Sequence, residues 1–164
     1  NELLKKLDLS GLMFLNKLYA QECNLEEINL KGLTGMLTLD LAENKLKKVD
    51  LSECKRLKYL SCRVNNLKEL DITKNTYLNN LKCFHNELTK LDTSKNKSLE
   101  FLDYISNNEM LETLNASCNK ITGTFDLTNN KNIKELNVVA NNISNYKINE
   151  LDIKSSDKVY NSKK

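Results

Sequence analysis

Apolar residues recur along the chain as LxxLx(L/C/A)xxNxL or a close variant, in seven copies that open at Leu15, Met36, Leu57, Leu78, Leu99, Leu111 and Ile133. The first five openings are 21 residues apart, the next step is 12 and the last is 22. A fixed period in the twenties means stacked units that share one continuous core. In the unit 57–76, LKYLSCRVNNLKELDITKNT, the apolar positions are Leu57, Leu60, Cys62, Leu67, Leu70 and Ile72. Alternation around Leu60 and Cys62 is the period-2 signal of a strand. Leu70, Asp71 and Ile72 form a second short extended segment. One coil therefore offers two short strands, each expected to pair with its equivalent about 4.8 Å away in the next coil. Spacing this close leaves no room for long outer helices.

The polar positions inside the pattern are as regular as the apolar ones. Asn44, Asn65, Asn86, Asn107, Asn119 and Asn141 form one ladder, with Cys23 in the equivalent place of the first full copy. A second ladder runs through Asn75, Asn96 and Asn130, with Cys54 in the same place. Where the chain turns out of a strand, backbone amides and carbonyls point inward, and an Asn side chain carries both donors and an acceptor to satisfy them. Both ladders are expected to be structural.

The motifs LxxLxLxxNxL and LDLSxN resemble the leucine-rich repeat, here in a bacterial 21-residue form. LKYLSCRVNNLKELDITKN and LNNLKCFHNELTKLDTSKN are similar to internalin-type surface repeats, in which Cys replaces a strand leucine and stacks as a cysteine ladder. The resemblance covers residues 4–153. It implies a repeat solenoid built on a curved parallel β-sheet, with short extended or turn segments on the convex side and few or no long helices. It also implies ligand or receptor binding at a bacterial surface, commonly adhesion. The expected organisation is a leucine-rich repeat domain at 1–153, about seven repeats with one truncated near 99–110, and a tail or linker at 154–164.

The period fails once. The unit opening at Leu99 runs through Leu102, Tyr104 and Asn107, and then Leu111 opens the next, so about nine residues are missing. Tyr104 replaces the cysteine of the preceding copies, and a 12-residue coil predicts a local pinch or bend. The unit opening at Leu111 carries an extra residue near Gly123, which predicts a bulge.

Parity along the strands sorts the outward residues into columns. One begins Lys17, Thr38, Tyr59, Asn80, Phe101 and continues to Thr113 and Glu135. A second begins Tyr19, Asp40, Ser61, Lys82, Asp103. Across 57–107 the outward set includes Tyr59, Arg63, Val64, Phe84, His85, Phe101 and Ile105, with Lys82 and Asp103 as polar contacts among them. A contiguous patch of aromatic residues and Arg has the composition of an interface core. These nine residues are the candidate binding site. The opposite strand carries an aspartate column, Asp50, Asp71, Asp92 and Asp126 with Asn29 in the same place. Such residues usually cap local turns, and calcium binding is the lesser alternative.

Composition narrows the function classes. Thirty leucines, no Trp and 40% hydrophobic residues describe an aliphatic core. A net charge of +3, from 25 basic and 22 acidic residues interspersed, gives no electrostatic footprint for nucleic acid. No apolar run approaches 18 residues, so membrane insertion is not expected. One His, no Gly-rich phosphate loop and no nucleophile beside a base make an enzyme unexpected, and no cofactor is implied. Cys62 and Cys83 lie close enough on adjacent coils for a disulfide, but parallel inward neighbours rarely reach the required dihedral, so free thiols are expected. No cysteine has metal-ligand spacing, and Cys118 is placed facing solvent.

The chain opens inside a repeat, Leu4, Leu7, Leu9, Leu12 and Leu15 matching Leu25, Ile28, Leu30, Leu33 and Met36, so any export signal lies out of sight. The expectation is a monomeric binding module of a secreted or cell-surface bacterial protein, with a protein or glycoprotein ligand. The alternative is a cytoplasmic regulator or effector that docks onto a protein partner.

Overall fold

The computed structural model describes residues 4–103, 105, 108–147 and 158–160. They form a parallel β-solenoid of short strands, with no helix among the described residues. In chain order the strands are β1 (Lys6–Asp8), β2 (Lys17–Tyr19), β3 (Glu27–Asn29), β4 (Thr38–Asp40), β5 (Tyr59–Ser61), β6 (Asn80–Lys82) and β7 (Lys90–Asp92). They are followed by β8 (Phe101–Asp103), β9 (Thr113–Asn115), β10 (Thr122–Asp126), β11 (Glu135–Asn137), β12 (Asn142–Lys147) and β13 (Lys158–Tyr160). In β1 to β9 and in β11 the middle residue is turned toward the core, as the alternating sequence requires. Leu39, Leu60 and Leu81 are wholly buried in a core continuous from Ala20 to Ile143. That core is aliphatic, and Cys54, Cys62 and Cys83 pack within it as free thiols. Burial pushes the Cys83 thiol up to about 12 and the Cys62 thiol well above its ordinary value, so both stay protonated and inert.

The first wall of the solenoid is a five-stranded parallel sheet in the order β2-β4-β5-β6-β8. Its register steps by one repeat per strand, Lys17 to Thr38 to Tyr59 to Asn80 to Phe101. Pairing on the second wall is less continuous than the sequence suggests. β1 pairs with β3, but the equivalent segments at 48–50 and 69–71 make no ladder, and regular pairing resumes only at β7. Strand pairing is therefore continuous from β2 to β8 along the first wall and interrupted between β3 and β7 along the second.

After β8 the stack changes phase. β9 does not continue the first sheet; it pairs with β7, Lys90 facing Thr113 and Leu91 facing Leu114. The second sheet then runs β7-β9-β11-β13. In the regular coils two consecutive amides donate to one carbonyl below as the chain enters a strand, Lys58 and Tyr59 to Leu37 O. Glu112 and Thr113 make the same pair of bonds to Thr89 O. The expected pinch is thus corrected. The missing half-unit keeps the circuit near full length and rotates the later strands by half a coil onto the opposite wall. The expected continuation of the outward columns from Phe101 to Thr113 is corrected with it, since Thr113 and Glu135 lie on the second wall.

The asparagine ladder behaves as its chemistry demands. Asn65 Nδ2 donates to Leu41 O at 2.9 Å and Cys62 O at 3.1 Å, and its Oδ1 accepts from Leu46 N at 3.0 Å. Asn44, Asn86, Asn119 and Asn141 repeat the bonds to the carbonyls. Asn107 and Tyr104 lie outside the described residues. Asn108 joins the second ladder: its amide bonds Ile105 O, and its own carbonyl accepts from Asn130 Nδ2 at 3.0 Å. The aspartate column caps turns, Asp50, Asp71, Asp92 and Asp126 each accepting the amide two residues on. Asn29 does the same for Lys31. The bulge expected near Gly123 is present, as a register shift between Gly123 and Thr124 where β10 pairs with β12. Within the segment expected to be a tail, β13 adds a strand beside β11.

Candidate interaction surface

The outward face of the first sheet brings together most of the residues selected from sequence. Tyr59 and Phe101 bracket Asn80 in one row, and Lys82 lies between Ser61 and Asp103 in the next. Tyr59 and Lys82 are half-buried and Phe101 is 50% exposed. The side chain of Asp103 lies outside what the structure describes. Beyond the strand ends, Arg63 and Phe84 are half-buried, while Val64 and His85 are exposed.

These side chains are tied to one another. The Arg63 guanidinium sits 5.8 Å from the centroid of the Phe84 ring, within cation–π range. Its Nη1 donates to Glu43 Oε1 at 2.6 Å. Phe84 and His85 meet edge to face with centroids 5.4 Å apart. Arg63 is therefore held by an acid from the preceding coil and an aromatic ring from the next. Exposed ion pairs contribute little to folding, but this one fixes the position of the guanidinium on the sheet edge. Glu43 was not among the sequence candidates, because outward parity alone does not reveal a pairing across coils.

Val64 and His85 stand at a constrained turn. Glu22, Glu43, Val64, His85, Cys118 and Ala140 all have φ between 52° and 57°, the left-handed region that β-branched residues rarely enter. The geometry persists because the coils below and above hold it: Val64 N–H donates to Phe84 O at 2.9 Å and Asn65 N–H to His85 O at 3.1 Å. A rigid bend thus throws the side chains of 63–64 and 84–85 outward at the edge of the sheet. Cys118 is exposed at the same bend on the second wall.

Ile105 is the correction to the candidate set. Counting from Leu99 aligns it with Phe84 and places it outward, but it is 2% exposed and packs in the core. In the shortened coil it lies three residues before Asn108, as Ile72 lies before Asn75 and Thr93 before Asn96. Its carbonyl accepts from Asn108, as Thr93 O accepts from the amide of Asn96. The half-unit deletion converts an outward position into an inward one.

A second group of exposed apolar residues escaped the strand-based reading. Phe14 is 90% exposed, and Tyr77 and Met110 are exposed as well. Each directly precedes the residue that opens a repeat, so they lie on the loops leading into β2, β6 and β9. The signal was present in the sequence at that fixed offset. Gly35 holds the same offset, where a Cβ would come 2.5 Å from Met13 O, so the close approach of neighbouring loops requires glycine. Among the described residues no cluster of His, Cys, Asp and Glu is placed to hold a metal, and no helix is long and apolar enough to cross a membrane.

A 21-residue parallel solenoid with Asn and Cys ladders defines a leucine-rich repeat protein. The chain is similar to the functional domain of InlJ from Listeria monocytogenes, which includes a cysteine ladder, at 32% identity and a TM-score of 0.53. The similarity covers 87% of this chain and 36% of that one, so the chain spans little more than a third of its neighbour's length. Neither a family model nor a curated protein sequence matches it. The chain is an internalin-like repeat protein.

Proposed function

We propose that this chain is the ligand-binding module of a secreted or surface-exposed bacterial protein, and that it engages a protein or glycoprotein through the outward face of the first sheet. The observation that carries the reading is the braced cluster Glu43–Arg63–Phe84–His85, set at a rigid turn and flanked by Tyr59, Val64, Lys82 and Phe101. Aromatic and Arg side chains already held in place lose little freedom on binding, which favours affinity. The similarity to an internalin domain supports a surface location, with adhesion to host or neighbouring cells as the use of such binding. Binding rather than catalysis is the reading, since the cluster joins a cation to rings and presents no nucleophile with a base.

The test is a protein and glycan array probed with the wild-type chain and with Phe84→Asp. Aspartate removes the ring from a half-buried position outside the core and adds a negative charge beside Arg63. The expected outcome is loss of the wild-type signals with a thermal midpoint within a few degrees of wild type. Retained signals would refute the site, and an equal collapse of the fold would show Phe84 to be a core residue.

A further inference from the structure

Two polar atoms on the outward face of the first sheet are buried without a hydrogen-bond partner. Ser61 belongs to the outward row, between Asp40 on one neighbouring strand and Lys82 on the other, yet it is only 1% exposed. It is the smallest side chain of that row, and longer neighbours wall it in. Its Oγ makes no hydrogen bond, and neither does the buried Oδ1 of Asn80, its diagonal neighbour on the adjacent strand. Five other buried Oδ1 atoms lack partners, those of Asn75, Asn96, Asn108, Asn119 and Asn130, but all five belong to the ladders inside the coils. Ser61 and Asn80 differ in belonging to the outward rows of the sheet, so that a shift of neighbouring side chains, and not an opening of the coil, exposes them.

Buried polar atoms in folded proteins are satisfied, and an orphan calls for a specific explanation. We propose that Ser61 Oγ and Asn80 Oδ1 form a polar notch in the binding surface, and that it receives one hydrogen-bond-donating side chain, an amide or a guanidinium, from a protein partner. The inference rests on the reading of this sheet as the interaction surface and names the chemistry it selects. Asn80 Oδ1 only accepts, so the occupant donates. Tyr59 and Phe101 flank Asn80 in its row, and their rings suit a planar group that stacks as it donates. Asp40 and Lys82 flank Ser61 from opposite strands, so their charges offset and the notch selects by its hydrogen-bond acceptors. A partner lacking the donor leaves both atoms buried and unpaired, so the notch discriminates among partners more than it adds affinity.

Small probes test this without knowledge of the partner. The isotope-labelled chain is titrated with acetamide, with methylguanidinium and with methyl glucoside while amide resonances are followed by NMR. The first two should shift Ser61, Asn80 and their strand neighbours saturably, in the millimolar range open to so few atoms. Asn80→Leu should weaken both by about tenfold or more, and Asn80→Asp should tighten methylguanidinium. Ser61→Ala is the second variant should Asn80→Leu fail to fold. The absence of any saturable shift, a response to methyl glucoside alone, or an unchanged response in Asn80→Leu overturns the notch. A failed titration alongside binding that Phe84→Asp still abolishes rejects the notch and leaves the interaction surface standing. Saturable amide binding with array signals that survive Phe84→Asp rejects the surface as drawn and leaves the notch as a local site.

Discussion

Individual side chains in this protein are held by the coil above and the coil below, and Asn65 shows how much depends on one of them. Its amide nitrogen donates to Leu41 O, Cys62 O and Arg63 O while its oxygen accepts from Leu46 N. Truncation leaves the Leu46 N–H unpaired and takes one of two donors from each carbonyl, which keep Asn44, Asn86 and Glu43 as partners; a buried amide left without an acceptor costs about 1–3 kcal/mol. Asn65→Ala is therefore expected to lower stability by about 1–3 kcal/mol, read from the midpoint of urea unfolding. A loss below about 1 kcal/mol would mean that water fills the site at little cost. This role was legible from sequence because the turn chemistry repeats with the period. Ile105 was not legible, because its inward or outward character depends on the half-coil that comes after it and not on its own strand parity.

At the scale of elements, the strands are too short to stand alone, and their turns are set by carboxylates. The Asp50 carboxylate accepts from the Ser52 hydroxyl and backbone, and those of Asp71 and Asp126 accept from the backbone and hydroxyl of Thr73 and Thr128; these bonds hold all three below the ordinary value of 3.8. A group with a depressed folded-state pKa adds stability that is complete above the unfolded value and disappears as pH falls through the folded one. The thermal midpoint should therefore be level from neutral pH down to about pH 5 and fall below about pH 4. Asn29 makes the same turn bond without a charge, which supplies the control. Asp71→Asn should keep the turn at pH 7 and flatten the acid decline, as followed by circular dichroism. A decline as steep as wild type would show that other carboxylates dominate. The sequence located these turns by their period. It did not reveal that the segments at 48–50 and 69–71 make no ladder, because a ladder needs neighbouring backbones at hydrogen-bonding distance, which the period alone does not fix.

The whole molecule is two stacks joined out of phase, and the joint decides which surfaces share a wall. The proposed interaction face occupies the wall of β2, β4, β5, β6 and β8, whereas β9 and β11 present their outward residues on the other side. The length of the gap was readable from the sequence. Its consequence was not, because a short coil can tighten or let the next strand dock on a different column. Docking costs less here, since Leu114 finds Leu91 as an inward neighbour and Asn119 finds Thr93 O and Oγ1 as acceptors. Those contacts keep apolar burial and most ladder bonds intact, whereas tightening would squeeze a close-packed core. Inserting a copy of residues 87–95 between Asn107 and Asn108 restores the 21-residue step. The expected product is a folded chain in which Thr113 lies beside Phe101 and the first sheet extends through β9 and β11. Amide-proton contacts by NMR separate the two arrangements, Thr113 with Lys90 in the wild type and Thr113 with Phe101 in the insertion variant. Contacts of Thr113 with Phe101 in the wild-type chain would sink the phase change. An insertion variant that keeps Thr113 beside Lys90 would show that the second stack chooses its wall by its own side chains and not by the length of the coil before it.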